Sequence, residues 1–212
     1  SVGDHWYDAG SAISIGATAP SAVDGEQYVW LGWTGTGAIS YSGSNNPSSV
    51  TMNSPITETA AWRHEYYLTV TSLYGSPTLA SGWFEAGEEI TASVTSPWPG
   101  PTGVQYICTE WTGTGSVSPS GTTTTVTFTL NAPSSITWNW KTQYLLTVRT
   151  DPTGLSPQPT RSPPGEAGTG GWWYDNSTNV QLTAELVTCH EFLNWDVDGG
   201  TVSGNPITLP MG

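Results

Sequence analysis

Residues able to do chemistry are few and scattered. His5, His64 and His190 are the three histidines, and none stands at a spacing from a serine or cysteine that argues for a nucleophile–base pair. Cys108 and Cys189 are the two cysteines. With no Cys-x-x-Cys or His-x-x-x-His pattern they make no zinc site. Cys108 reads as a small buried apolar residue and a bridge to Cys189 is disfavoured. Asp196-Val197-Asp198-Gly199-Gly200 spaces two carboxylates ahead of a glycine turn, which makes Asp196 and Asp198 candidate calcium ligands. The remainder of a calcium loop is missing, so a polar hairpin turn is the preferred reading. Asn176-Ser177-Thr178 is an N-glycosylation sequon. Trp98, between two prolines, and Trp172 are candidates for exposed rings that contact a sugar. No residue is assigned a catalytic or cofactor-binding role, no cofactor is called for, and the chain reads as not an enzyme.

Composition narrows the partners. Seventeen Asp and Glu face four Lys and Arg, a formal net charge of −13. Phosphate backbones and anionic lipid surfaces are bound by clustered cations, so nucleic acid and membrane surfaces are not expected partners. No apolar run approaches the roughly 20 residues of a membrane span. Lys141 is the single lysine, and Ser and Thr do much of the solvating, as in secreted surface proteins. Ser1 carries neither an initiator Met nor a targeting motif, as expected if such a segment was removed or the chain is part of a longer one.

What must position these residues is a repeat. Tyr28-Val29-Trp30-Leu31-Gly32-Trp33-Thr34-Gly35-Thr36-Gly37 returns 78 residues later as Tyr106-Ile107-Cys108-Thr109-Glu110-Trp111-Thr112-Gly113-Thr114-Gly115. Between 28–70 and 106–148 there are 18 identities in 43 positions, enough to place Trp, Asn and Pro in matching columns. A second signature, Trp6-Tyr7-Asp8-Ala9-Gly10, matches Trp83-Phe84-Glu85-Ala86-Gly87 and, loosely, Trp173-Tyr174-Asp175-Asn176-Ser177. Phe192-Leu193-Asn194-Trp195 supplies a third copy of the tryptophan turn. The recurring acids Asp8, Glu85 and Asp175 read as turn-stabilising. The recurring tryptophan columns (Trp33, Trp111 and Trp195; Trp6, Trp83 and Trp173; Trp62 and Trp140) read as core.

Three units follow: 1–66, without a first strand; 67–144, complete; and 145–212, without a last strand and with a Pro/Gly-rich insertion over 151–171. Apolar residues alternate at period two, as at Val126, Phe128 and Leu130, with turn residues every eight to twelve positions. Pro97-Trp98-Pro99-Gly100-Pro101 reads as a rigid loop without ladder bonds. The expected fold is all-β, as tandem small Ig-like β-sandwich modules, with a β-grasp-like open sheet as the alternative. A unit this small has a thin core, which its large rings would help to fill.

The W-[YF]-[DE]-A-G signature, the tyrosine-led strand ending in W-T-G-T-G and the Y-L-T-V unit start together resemble the divergent internalin B-repeat class, relatives of the Listeria–Bacteroides repeats. The resemblance covers the whole chain in three copies. It departs at Asn176-Ser177, at Asp196-Val197-Asp198 and in the insertion. It implies a non-enzymatic, extracellular or cell-surface structural protein, a stalk, S-layer-associated or fibre-forming module. Expected partners are like subunits or neighbouring repeats of a longer chain, joined head to tail by strand complementation. The alternative is a carbohydrate-binding or adhesion module of a larger secreted protein, with polysaccharide as partner.

Overall fold

The computed structural model describes residues 5–212; residues 1–4 of the first unit lie outside the described residues. The fold is all-β, without helix among the described residues. The first unit supplies β1 (Ser11–Ile15), β2 (Glu26–Thr36), β3 (Ser48–Met52) and the opening half of β4 (Thr57–Ser72). The second takes the rest of β4, then β5 (Gly82–Glu85), β6 (Glu89–Ser93), β7 (Trp98–Pro99), β8 (Val104–Thr114), β9 (Ser120–Gly121), β10 (Thr125–Thr129) and the opening half of β11 (Ser134–Leu146). The third takes the rest of β11, then β12 (Thr160–Ser162), β13 (Glu166–Gly168), β14 (Gly171–Asp175), β15 (Asn179–Thr183), β16 (Trp195–Val197), β17 (Gly200–Val202) and β18 (Ile207–Pro210).

The boundaries drawn at 66/67 and 144/145 therefore fall inside strands. Residues 62–70 contain no Gly, Pro, Asn, Asp or Ser, so nothing local stops the ladder where one unit ends. Because β4 and β11 cross both joints, one nine-stranded sheet runs through all three units. Each unit lays a two-stranded pair over that sheet: β1 with β3, β6 with β10, and β15 with β18. The registers correspond, with Ile13 opposite Val50, Ile90 opposite Phe128 and Val180 opposite Leu209. A bulge recurs as well, with Leu31 and Thr109 each left over between paired neighbours.

The second unit closes most completely. Residues 134–138 run parallel to residues 68–72, and residues 135–139 run antiparallel to residues 110–114. Ile136 and Trp138 are thereby driven into a core with Leu68, Ile90, Ala92, Trp111, Val126 and Leu130. Burial of such side chains is worth about 2 kcal/mol each before entropy is subtracted. The third unit has its own, smaller core around Tyr174, Val180, Leu182, Trp195, Ile207 and Met211.

Three expectations are corrected. Residues 97–101 do carry a ladder fragment, since Trp98 and Pro99 pair with Tyr106 and Gln105 at the sheet edge, where a proline is tolerated. The 151–171 insertion is more than a loop: β12 extends the upper pair beside β15, and β13 extends the large sheet beside β14. Those strands have no periodicity of their own; the free edges they meet create them. The Trp83 column is not core. Trp33, Trp111 and Trp195 are buried, but Trp83 is 40% exposed and Trp6 fully so.

Candidate functional site: the joints and an open groove

The two joints repeat each other bond for bond. In the first, Tyr67 N–H donates to the Gly25 carbonyl (2.8 Å), and in the second Leu145 N–H donates to that of Gly103 (2.9 Å). Ala86 N–H donates to the His64 carbonyl and Asn176 N–H to that of Thr142, both at 2.9 Å. Gly25 and Gly103 have φ of +77° and +76°, a region nearly closed to other residues. In the first joint a side chain at position 25 would also meet the Pro133 ring, its Cβ 2.8 Å away.

A polar lock lies beneath those bonds. Gln27 Nε2 donates to Glu65 Oε2 (2.6 Å), and Gln105 Nε2 donates to Gln143 Oε1 (2.8 Å). Glu65 and Gln143 are buried, Gln143 to 1% exposure. Glu65 stands opposite Glu85, and Gln143 opposite Asp175. The cation two residues earlier completes each set: Arg63 pairs with Glu65 at 2.5 Å, and Lys141 with Asp175 at 2.8 Å. Burial raises the Asp175 carboxyl, but bonds from Lys141 and Gln143 and the lysine charge outweigh it and hold the group below its ordinary value. A buried amide left without its partner costs about 1–3 kcal/mol, so each lock fixes the register of its joint. Sequence reading missed these residues. The signal was present: Gly25 and Gln27 match Gly103 and Gln105 at the same offset of 78 residues, just upstream of the tyrosine strand.

The Trp83 column belongs to the first joint, where Trp83 meets Tyr67 edge to face at 5.2 Å. Among the described residues no strand lies beside the first unit's copy of the signature, and Trp6 stands in solvent. The acids after these tryptophans close one turn three times through their carbonyls, accepting from Ser11, Glu88 and Thr178 N–H at 3.1 Å each. Glycines at positions 10 and 87 give that turn its positive φ. Ser177 does so in the third unit, at +65°.

Beyond the second joint lies a groove of about 600 Å³. Leu146 and Val148 wall one side and Trp195 and Val197 the other; Leu182, Leu209 and Met211 also line it. Matching columns place this groove where the second unit holds residues 134–138. Leu146 and Val148 correspond to Leu68 and Val70, and Trp195 to Trp111. Leu68 is wholly buried, whereas Leu146 is half-buried.

The candidates named from sequence fall apart in space. Asp196 Oδ1 accepts from Gly199 N–H (2.9 Å) and caps the β16–β17 hairpin, while Asp198 adopts φ +52° in the same turn. Among the described residues no group of three or more His, Cys, Asp or Glu side chains is placed to hold a metal ion. Asn176 is exposed at the turn after β14. Trp172 is half-buried with the Arg161 guanidinium 3.2 Å from its ring centre, so that face is covered. Trp98 is half-buried opposite Tyr106, which stacks on Tyr74 at 3.6 Å. Cys108 and Cys189 are free; burial pushes the Cys108 thiol up despite its contact with the Glu110 carbonyl. His64 holds Glu26 at 2.6 Å and packs between Tyr28 and Tyr66, each 4.5 Å away. The Val23 N–H, aided by His64 and Tyr28 against some burial, keeps Glu26 below the usual carboxylate range. Comparison of the chain with family models, curated proteins and solved structures yields no match.

Proposed function

We propose that the chain is a non-enzymatic, extracellular run of tandem β-repeats, a structural module of a cell-surface stalk, an S-layer-associated assembly or a fibre, of the divergent internalin B-repeat kind. The observation that supports this reading is the joint. Strands β4 and β11 pass from unit to unit, and the same backbone bonds and polar lock recur at both crossings. Tension along such a run is carried by covalent backbone flanked on both sides by ladder bonds. The acidic, lysine-poor composition suits a surface outside the cell. The test is immunogold labelling of source cells with antibody to this chain. Gold at the cell surface is expected, and gold confined to the cytoplasm refutes the reading. Head-to-tail joining into fibres is tested by size-exclusion chromatography and electron microscopy, and a monomer at every concentration removes that version.

The carbohydrate-binding alternative is favoured by one feature, the cluster of Trp98, Tyr106 and Tyr74 at one sheet edge. Rings of this kind stack on sugar faces. A glycan array probed with the wild-type chain and Trp98→Ala decides it: binding lost in the variant supports this reading, and absence of wild-type binding removes it.

A further inference from the structure

We propose that the cleft at the first joint is a sugar-binding subsite for a chain of neutral hexose units, with one ring on Trp83 and the next against the hydroxyls of Thr69, Ser135 and Thr114. The proposal goes beyond the structural reading of the chain and does not rest on it. It concerns a different place from the Trp98 edge.

The cleft holds about 400 Å³. The ladder builds its floor. Tyr67 stands opposite Trp83, Thr69 beside Ser135, and Ser135 opposite Thr114. Side chains alternate along a strand, so Tyr67 and Thr69 point away from the core that holds Leu68. Rings therefore lie at one end of the row and hydroxyls at the other, about 10 Å away by strand rise and spacing. Tyr67 touches Trp83 edge to face, and the indole stays 40% exposed. Asp24 stands exposed at the rim. Every strand bordering the cleft has its ladder partner in place: residues 65–72 pair with β5 and β11, and β8 pairs with β11.

Joining the units does not require these groups, as the second joint demonstrates. It repeats the same backbone bonds with Thr102 in place of Asp24 and Leu145 in place of Tyr67. Its own tryptophan, Trp173, is paired with Glu166 of β13, and the indole lies against Gly168, where a Cβ would come within 2.3 Å of Nε1. The first joint alone therefore combines an open indole, a phenol and a carboxylate. An exposed indole offers an apolar platform to the C–H face of a pyranose, and hydroxyls serve its O–H groups as donor and acceptor. The Thr114 and Ser135 hydroxyls lie 2.7 Å apart, and each keeps capacity for a further bond. The Asp24 carboxylate accepts from a sugar hydroxyl, and such charge-assisted bonds are the stronger ones. Among the described residues no Lys or Arg lines the cleft, and with a net charge of −13 this selects against sulfated and carboxylated sugars.

The test is isothermal titration calorimetry of the full chain with cellotetraose, laminaritetraose, maltotetraose and mannotetraose. At least one of these should bind one to one with a Kd of about 0.1–1 mM. Trp83→Ala should weaken that binding at least about tenfold, and Trp83→Phe should restore most of it. Asp24→Asn should weaken it about fivefold, and Trp98→Ala should leave it unchanged. Asp24 is exposed and outside the core, so its variant reads the cleft even where Trp83→Ala disturbs the joint. Four results each overturn the proposal: no binding of any of these sugars at about 10 mM, equal binding by Trp83→Ala, loss of binding in Trp98→Ala instead, or preference for a heparin oligosaccharide. Surface labelling of cells reads the structural role independently, so a failed subsite and a failed function are told apart.

Discussion

The second and third units begin with the same words, Leu68-Thr69-Val70 and Leu146-Thr147-Val148, and treat them differently. In the second, those residues lie in a strand bonded on the side of residues 134–138, with Leu68 wholly buried. In the third, the ladder stops at Leu146 and the leucine is half-buried. Strand-forming side chains are thus insufficient. A strand persists where its amides and carbonyls find partners and its inward face finds cover, and in the second unit one segment supplies both.

The largest expected effect tests that contrast directly. Leu68→Ala should cost about 3 kcal/mol, as a fully buried leucine does. Leu146→Ala should cost about 1 kcal/mol, in line with partial burial. Urea unfolding followed by tryptophan fluorescence measures both, and equal costs would mean that the groove is already closed in solution. Next in size, amides of residues 68–72 should exchange about 100-fold more slowly than those of residues 147–150, read by mass spectrometry. Matching rates would erase the distinction between the units.

A smaller effect concerns the turn that both units share. Gly87 meets its positive φ freely, and Ser177 holds +65° against its side chain. Ser177→Gly should stabilise the chain by about 1 kcal/mol, and Gly87→Ser should destabilise it comparably. Calorimetry of the two variants checks the pair, and a neutral Gly87→Ser would show that the turn tolerates either residue. The smallest effect is electrostatic. Asp175 has a lowered folded-state pKa, so its contribution is complete above the ordinary carboxylate value near 4 and is lost as the pH falls through the folded value. The group is about half exposed, which keeps the effect small. Lys141→Met should raise the Asp175 pKa and flatten this part of the acid loss of Tm. An unchanged carboxyl titration by NMR would show that the lysine is a bystander.

Much of this was legible in the chain itself. The offset of 78 residues fixes which residues are equivalent, and period-two alternation marks β6, β8 and β10. The Trp33 column was read as core and is buried in all three units. The Trp83 column looked the same in one dimension and is not, because recurrence registers any repeated contact, including one across a joint. The polar locks escaped because Gln27 and Glu65 are 38 positions apart and ordinary in type. Strands β12 and β13 escaped because neighbouring edges, not their own pattern, make them strands.

The sequence by itself determined that one β unit is used three times, with the same turns, registers and large rings, since these follow from local alternation and repeated columns. Only the tertiary structure decided that units fuse through unbroken strands and that the insertion adds β12 and β13 to existing sheet edges. Both depend on which distant segment lies beside a given edge, and a ladder bond carries no mark in the residues that make it.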